Sequence, residues 1–346
     1  MNELRLKSMA IAFAGAALLA CGAAQARDLM IVGFGGPFQD NARVALFQGY
    51  GKATNTPVKD DVYNGEMAKV YAMVKSGDVT YDVIMVEAPE LVRGCEDGIF
   101  EKMDWTVVKK NKFIEGGTSN CGAGAVLWGV TLFYDPAKVP NGPDTYAKLW
   151  DTKTYPGKRL FRNSPKTTLE IALLADGVPP ADVYKVLATP AGQKRAFDKL
   201  DQIKPQLMWW KSGTQPVQLI ASGDATYAVG FTGRIVRANE GGAKYPLLWK
   251  TLLYSVDYWA VVKGSPNAKE GMKMIEWITD TKPLLTLAET YAVSPANKEA
   301  AANPALSAKN PGMLSSHVAD GLFINTEFWV ANGDDLEQKF NAWQAK

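Results

Sequence analysis

The stretch Tyr81-Asp82-Val83-Ile84-Met85-Val86 decides the fold class, because it is short and almost continuously apolar. Runs of this kind are typical of strands in parallel sheets that helices cover on both faces. A helical spacing of i, i+3, i+4 and i+7 precedes the run and is formed by Met67, Val70, Tyr71 and Val74. A helix followed by a buried strand predicts an α/β protein.

The same alternation of strands and helices continues along the chain. Apolar patterns predict further strands over 29–33, 125–134, 225–231 and 255–262, and helices near 197–203, 216–222, 268–278 and 284–291. The chain has 346 residues, and at about 150 residues per domain this length predicts two domains. We therefore expect an α/β protein with parallel-type sheets.

The composition excludes several classes of protein. Hydrophobic residues make up 47% of the chain and charged residues 21%, as in a folded protein rather than a disordered one. The 38 basic and 36 acidic side chains leave a net charge of +2, which gives no electrostatic footprint for nucleic acid. His317 is the only histidine, so no His-rich zinc site can form and any catalytic triad would have to use this residue. We expect no metal site and no nucleic-acid partner.

The loop after the first predicted strand is rich in glycine. Its sequence, Gly33-Phe34-Gly35-Gly36-Pro37-Phe38, has Phe38 where the dinucleotide motif G-x-G-x-x-G requires a final glycine. No Walker A sequence and no G-x-S-x-G elbow occur in the chain. We therefore expect no cofactor, and we interpret the loop as a turn that brings backbone N–H groups and Phe34 or Phe38 to a ligand.

The first 26 residues have the features of a cleavable signal peptide. Arg5 and Lys7 form a positive start, an apolar run follows, and Ala24-Gln25-Ala26 matches an A-x-A cleavage site. Leu18-Leu19-Ala20-Cys21 is an alternative, a lipoprotein box in which Cys21 would be lipidated. The first predicted strand begins eight residues after that cysteine and leaves little room for a tether, so we favour cleavage after Ala26 and a periplasmic location.

Export determines how the cysteines are interpreted. Cys21 is removed with the signal peptide, which leaves Cys95 and Cys121 in the mature chain. In an oxidising compartment an even pair of cysteines predicts a disulfide. Two buried free thiols are the alternative.

Several local motifs occur in an order that resembles a known family. They are Tyr81-Asp82-Val83-Ile84-Met85, Trp128-Gly129-Val130, Tyr146-Ala147-Lys148-Leu149-Trp150-Asp151, Pro156-Gly157-Lys158, Gly223-Asp224, and Asp257 to Val262 followed by Lys263-Gly264-Ser265-Pro266-Asn267. Their order and spacing resemble the spermidine/putrescine-binding branch of the periplasmic substrate-binding proteins of ABC importers. The resemblance covers nearly all of the mature chain. It implies a two-lobed (type II) periplasmic-binding-protein fold, a ligand cleft between the lobes, no enzymatic activity, and delivery of a solute to ABC permease subunits.

The resemblance also implies where the lobes begin and end. We expect a signal peptide over 1–26, a first lobe over 27–134 and 257–305, a second lobe over 135–256, and a C-terminal helical segment over 306–346 that packs on the lobes. We expect the protein to be a monomer.

Binding residues follow from the same resemblance, in which aromatic rings enclose methylene groups and carboxylates hold ammonium groups. The matching positions here are Phe231, Tyr254, Asp257, Trp210 beside Trp209, Gln215 and Glu87. Each aromatic residue has the alternative of ordinary core packing. Asp257 has the alternative of a surface acid at a strand end, and Glu87 that of capping the following turn.

One departure from the family pattern affects the choice of ligand. The second acidic cluster of polyamine binders should fall near Arg162-Asn163-Ser164-Pro165-Lys166-Thr167, where this chain has two bases and no acid. Arg234 adds a cation close to Phe231, with a surface arginine or a structural ion pair as the alternative. Because an unpaired buried ammonium is costly, we favour a zwitterion such as γ-aminobutyrate, with Arg234 on its carboxylate and Asp257 on its ammonium. Putrescine or spermidine is the alternative ligand, and a biosynthetic enzyme of the same architecture is the alternative class.

Overall fold

The computed structural model describes residues 27–291, 293–309, 314, 317, 319 and 321–346. The predicted signal peptide over 1–26 and the alternative lipidation of Cys21 lie outside the described residues.

Nine strands and fifteen α-helices are described in these ranges. The strands are β1 (Leu29–Gly33), β2 (Val58–Val62), β3 (Val83–Glu87), β4 (Gly122–Tyr134), β5 (Arg159–Arg162), β6 (Leu207–Trp210), β7 (Tyr227–Phe231), β8 (Leu253–Val261) and β9 (Leu322–Phe323). The helices are α1 (Gly36–Ala42), α2 (Gln48–Thr54), α3 (Ala68–Ser76), α4 (Ala88–Glu96), α5 (Tyr146–Leu149), α6 (Pro165–Ala175), α7 (Val183–Leu187), α8 (Pro190–Asp201), α9 (Gln215–Ser222), α10 (Thr232–Glu240), α11 (Ala268–Ile278), α12 (Thr281–Ala288), α13 (Lys298–Ala301), α14 (Pro304–Lys309) and α15 (Thr326–Gln344).

The strands form one sheet in the order β2-β1-β3-β8-β4-β7-β5-β6, with β9 beside β8. The outer strands are parallel, since β1 pairs in parallel with β2 and β3, and β5 with β6 and β7. The centre is antiparallel, since β8 runs against β3 and β4, and β4 runs against β7. The prediction of parallel-type sheets is therefore wrong for the central strands. β4 and β8 are neighbouring strands that carry the chain through the middle of the sheet in opposite directions, so their pairing is antiparallel.

The long strand β4 joins two separate hydrophobic cores. It pairs with β8 from Gly122 to Val130 and with β7 from Val130 to Tyr134. Val126 belongs to the first core, which surrounds β1 and β3, and Val130 belongs to the second core, which surrounds α6, α8 and α15. The chain therefore passes from one core to the other within β4.

The apolar run from Tyr81 to Val86 contains one buried charge, Asp82, and the partners of its carboxylate account for its burial. Asp82 is fully buried just before β3, and its carboxylate accepts hydrogen bonds from Arg27 Nη1 at 2.6 Å, Ser265 Oγ at 2.6 Å and Asn267 Nδ2 at 3.1 Å. Buried charges are tolerated when they are paired and hydrogen-bonded. Asp82 thus links the start of the described chain to the loop that follows β8.

The C-terminal helix α15 covers the second core and also contacts the first. Phe340 and Trp343 are buried in the second core, where both rings lie against Trp209 at 5.3 and 6.1 Å between centroids. On the same helix, Asp334 forms an ion pair with Arg93 of α4 at 2.7 Å. Helix α15 therefore bridges the two cores, and Trp209 serves the packing beneath it.

Candidate functional site

A cavity of about 170 Å³ lies between the two cores, where β3, β4 and β8 meet the carboxyl end of β7. Sites for drug-sized molecules usually measure about 300 to 1,000 Å³, so this cavity suits a smaller ligand. Six of the eight predicted binding residues line it, namely Phe38, Glu87, Trp210, Phe231, Arg234 and Asp257. The structure thus brings together residues that are up to 219 positions apart, from Phe38 to Asp257.

Arg234 provides the positive side of the cavity. It lies in the first turn of α10, directly after β7, and its guanidinium carbon is 5.9 Å from the centre of the Phe231 ring. Glycines make room for this group: a Cβ atom on Gly36 would lie 2.6 Å from Nη1, and one on Gly213 would lie 3.0 Å from Nε. Nη1 is buried and has no hydrogen-bond partner among the described residues.

The electrostatics of Arg234 follow from this burial. Desolvation lowers the pKa of the guanidinium from its ordinary value, but an arginine remains charged at any physiological pH. A buried cation with an unused N–H donor is costly unless a partner satisfies it. A carboxylate is the partner that a guanidinium fork matches best.

Asp257 provides the negative side. It lies on β8, is 7% exposed, and has one buried oxygen, Oδ1, without a hydrogen-bond partner in the described part of the chain. Burial, together with the neighbouring charge of Glu87, raises the pKa of Asp257 well above its ordinary value, against the opposing effect of Lys166 and Arg162. An ammonium group at Oδ1 would satisfy this oxygen and favour the ionised carboxylate.

Glu87 lies beside Asp257 but has a different environment. The two residues face each other in the antiparallel pairing of β3 and β8. Arg162 Nη2 donates to Glu87 Oε1 at 2.7 Å, and Lys166 Nζ lies 2.5 Å from Oε2. Burial opposes ionisation of Glu87, but the charges of Arg162 and Lys166 outweigh it and lower the pKa to about 2. The carboxylate is therefore ionised and already paired.

The interpretation of Glu87 as a turn cap is not supported. Glu87 does occupy the N-cap position of α4, yet its side chain makes no capping hydrogen bond. Its carboxylate is held by two bases from the second core instead.

Aromatic rings form one wall of the cavity. The ring of Phe231 lies edge-to-face against Trp128 at 5.6 Å and against Trp210 at 5.4 Å between centroids. Trp210 is fixed by a hydrogen bond from Nε1 to the carbonyl of Val229 at 2.9 Å. Rings in this arrangement offer apolar contact to methylene groups and a negative face to a cation.

The structure places two of the predicted residues elsewhere. The ring of Tyr254 packs against Phe323 of β9 at 5.4 Å. Tyr254 and Asp257 are three positions apart on β8, and residues at an odd spacing point to opposite faces of a sheet. Gln215 braces a loop, since its Oε1 accepts hydrogen bonds from the backbone N–H groups of Lys211 at 2.7 Å and Ser212 at 2.9 Å. The prediction that Tyr254 and Gln215 line the cleft is corrected accordingly.

Residues that the sequence did not assign to the site also contribute. Trp128 lines the cavity, as does Arg162, and Lys166 lies behind Glu87. The signal for Trp128 was its place in a family motif, and that for Arg162 and Lys166 was the unexpected pair of bases.

The predicted pair of cysteines lies outside the cavity. The structure joins Cys95 of α4 to Cys121, just before β4, in a disulfide with Cα atoms 5.7 Å apart. Within the described ranges, no group of three or more His, Cys, Asp or Glu side chains is arranged to hold a metal ion. No helix in the described part of the chain combines the length and apolarity needed to cross a membrane.

Comparison with known proteins gives a family and several similar chains. The profile described as "bacterial extracellular solute-binding protein" matches residues 45–314. The chain is 40% identical over 344 residues to the "Gamma-aminobutyric acid-binding protein" of Pseudomonas aeruginosa, a match that covers 99% of this chain and 96% of the relative.

Solved structures show the same fold. The binding protein AgtB of A. tumefaciens R10, in complex with agropinic acid, has a TM-score of 0.82 and 34% identity over 93% of this chain and 99% of its own. The Atu4243–GABA receptor has a TM-score of 0.82 and 29% identity over 92% of this chain and 98% of its own. MotA of A. tumefaciens B6, in complex with glucopine, has a TM-score of 0.84 and 27% identity over 92% of this chain and 99% of its own.

These matches decide between the classes left open by the sequence. They confirm the α/β two-lobed fold and the resemblance to periplasmic binding proteins. Such proteins bind a small solute in the periplasm for an ABC transporter and are not enzymes. The prediction of a solute-binding protein is thereby confirmed over that of a biosynthetic enzyme. The chain belongs to the family of bacterial extracellular solute-binding proteins.

Proposed function

We propose that the protein binds γ-aminobutyrate in the cavity between the two cores. One observation carries the proposal: Arg234 and Asp257 line the same small cavity, and each has a buried atom, Nη1 and Oδ1, with no hydrogen-bond partner among the described residues. In the complex, Arg234 holds the carboxylate of the ligand and Asp257 holds its ammonium. The 40% identity to a γ-aminobutyrate-binding protein over almost the whole chain supports the same ligand.

The aromatic wall suits the middle of this ligand. Phe231 and Trp128 line the same cavity as the two charged groups and present apolar surface there. The methylene groups of γ-aminobutyrate need contacts of this kind, because burial of apolar surface stabilises by about 25 cal/mol per Å².

A polyamine fits the same charges less well. Putrescine carries two ammonium groups, and Glu87, the second carboxylate of the cavity, is already paired with Arg162 and Lys166. Arg234 would repel the second ammonium.

Calorimetry with γ-aminobutyrate and putrescine tests the proposal. Arg234→Ala should weaken γ-aminobutyrate binding by about 2–5 kcal/mol, the scale for breaking a desolvated charge pair, and should leave putrescine binding equal or better. Asp257→Asn should weaken the binding of both ligands. Arg237→Ala is the matched control, because Arg237 lies on the same helix but pairs with Glu240 at the surface. Wild-type preference for putrescine, with Arg234→Ala neutral, would contradict the proposal.

Export and delivery complete the proposed function. We propose that the signal peptide is cleaved after Ala26, which makes Arg27 the first mature residue and leaves its side chain bound to Asp82. The mature protein acts as a monomer and delivers its ligand to the permease subunits of an ABC importer. As part of this proposal we keep lobe divisions near 134, 256 and 305, with the first crossing made by β4, whose residues Val130, Leu132 and Tyr134 already pack in the second core. An intact mass that begins at Arg27 would support the cleavage site, and an acylated Cys21 would contradict it.

A further inference from the structure

Glu87 ends β3, a strand of the first core, whereas the two bases that contact it, Arg162 and Lys166, belong to elements that pack in the second core. Arg162 ends β5, and Lys166 follows at the start of α6. We propose that Arg162 and Lys166 set the ligand specificity by neutralising Glu87, so that the cavity accepts one ammonium and rejects a diamine. The inference rests on the proposed function and adds the residues that restrict it to monoamines.

The position of Glu87 makes its neutralisation matter. Glu87 and Asp257 are directly opposite on β3 and β8, and the Cβ atoms of such cross-strand pairs lie about 4.5–5.5 Å apart. Two ionised carboxylates this close, without bases, would form a dianionic site. Such a site would attract an ammonium-rich ligand and would oppose a carboxylate.

The bases remove this possibility by pairing with both oxygens of Glu87. Arg162 contacts Oε1 at 2.7 Å, Lys166 contacts Oε2 at 2.5 Å, and Lys166 also lies 3.5 Å from Glu90. Two acids and two bases therefore balance on this side of the cavity. Apart from the exposed Lys211, Asp257 and Arg234 are the charged side chains of the cavity lining that form no ion pair within the described residues, and together they match a single zwitterion.

The backbone at Lys166 gives independent support. Lys166 has φ −63° and ψ 129°, and Thr167 has φ 75° and ψ −35°, which together form a type II turn inside the first turn of α6. The second central position of that turn normally holds glycine, and a β-branched residue there is strained. Strained residues of this kind cluster at functional sites, where the surrounding structure holds them in place. Here the strained residue, Thr167, directly follows the lysine that pairs with Glu87.

The test measures the ratio of the dissociation constants for putrescine and γ-aminobutyrate. Arg162→Gln and Lys166→Met each leave one base on Glu87 and should lower the ratio about threefold or more, whereas the double variant should lower it at least tenfold. Lys166→Arg retains a cation and should restore the wild-type ratio.

Loss of ion pairs between the two cores is a separate effect that needs a control. Arg93→Gln removes the ion pair between α4 and α15 without touching Glu87, so it should change the affinities for both ligands equally and leave the ratio unchanged. Thermal unfolding shows which variants are folded, and the single variants decide the question if the double variant does not fold.

The outcomes separate this inference from the proposed function. Wild-type preference for γ-aminobutyrate with an unchanged ratio in the folded variants would overturn the inference alone. A ratio that falls equally in Arg93→Gln would also overturn it, because the effect would then come from lobe contacts. Wild-type preference for putrescine would overturn both.

Discussion

Glu87 and Asp257 face each other across the pairing of β3 and β8, yet only Glu87 has basic partners within hydrogen-bonding reach in the described structure. Their pKa values diverge as a result. Burial opposes ionisation of both, but Arg162 and Lys166 lower the pKa of Glu87 to about 2, whereas burial and the charge of Glu87 raise that of Asp257. Two neighbouring carboxyl groups thus have separate roles: Glu87 is a paired structural charge, and Asp257 is available to a ligand.

The raised pKa of Asp257 predicts that binding releases a proton. Burial and the charge of Glu87 shift Asp257 of the free protein towards its protonated form, and a bound ammonium shifts it towards the ionised form. Affinity for γ-aminobutyrate should therefore fall as pH is lowered below the pKa of the free protein, by up to about tenfold per pH unit. Calorimetry in buffers with different ionisation enthalpies would measure the released proton. Asp257→Asn should bind weakly with no such pH dependence, and a wild-type affinity that stays constant over the whole pH range in which the protein is folded would contradict the prediction.

The aromatic wall predicts a loss of affinity on truncation. Trp128→Ala and Phe231→Ala each remove a ring from the cavity, and each should weaken γ-aminobutyrate binding by at least the cation–π contribution of about 0.5–2 kcal/mol. Phe323→Ala is the control, because Phe323 is an exposed aromatic residue that packs against Tyr254. Calorimetry on the three variants distinguishes the two sides of β8. An equal loss in Phe323→Ala would show that the Tyr254 side also belongs to the binding site.

The strands that the sequence predicted are those with strong apolar runs. β3 and β7 are buried along most of their length. Because buried strands consist largely of apolar residues, both could be predicted from residue type alone. The direction of a strand is not, because an apolar run has the same appearance in a parallel and an antiparallel pairing. β2 had no continuous apolar run, since Lys59, Asp60 and Asp61 separate its two valines. It pairs only with β1 at the edge of the sheet, where Arg43 contacts Asp60 at 2.7 Å.

The residues that line the cavity were predictable where their charge was the signal. Asp257 stood out because it matches an acidic position of the family pattern, and Arg234 stood out because it adds a cation close to Phe231. The face to which Tyr254 points depended on strand phase, which the family pattern did not fix. The contact between Glu87 and Arg162 joins residues 75 positions apart, and no local pattern encodes a pairing at that distance.

The disulfide between Cys95 and Cys121 should contribute measurably to the free energy of unfolding. Cys95 and Cys121 close a loop with a sequence separation of 26 residues, for which loop-closure entropy gives about 3 kcal/mol. Cys95→Ala/Cys121→Ala should lose stability on this scale in chemical denaturation, and reductant should lower the melting temperature of the wild type but not that of the variant. Neither cysteine lines the cavity, so affinity for γ-aminobutyrate should stay unchanged. A double variant as stable as the oxidised wild type would contradict the prediction.

The raised pKa of the buried Glu170 predicts that the protein loses stability at high pH. It is fully buried on α6, where Tyr184 Oη at 3.0 Å and Trp329 Nε1 at 2.8 Å donate to its carboxyl group. These donors favour the ionised form, but burial outweighs them and raises the pKa to about 7 from an ordinary value of 4.5. Because the folded protein binds the proton more tightly than the unfolded chain, the stabilisation is fully present below about pH 4.5 and is lost as pH rises through about 7. The loss should reach about 3 kcal/mol.

Glu170→Gln isolates this effect, since it keeps an acceptor for Tyr184 and Trp329 but cannot ionise. Other groups also titrate, so the informative quantity is the difference in unfolding free energy between variant and wild type at each pH, measured by chemical denaturation. That difference should be constant at low pH and should move in favour of the variant as pH rises through about 7, where only the wild type loses stability. Asp198→Asn is the control, because Asp198 is an exposed carboxylate paired with Lys194 on α8, and surface pairs contribute only about 0–1 kcal/mol. Parallel stability profiles for wild type and Glu170→Gln would contradict the prediction, because they would show that folding does not raise the pKa of Glu170. The hydrogen bonds from Tyr184 and Trp329 would then be sufficient to stabilise a buried carboxylate.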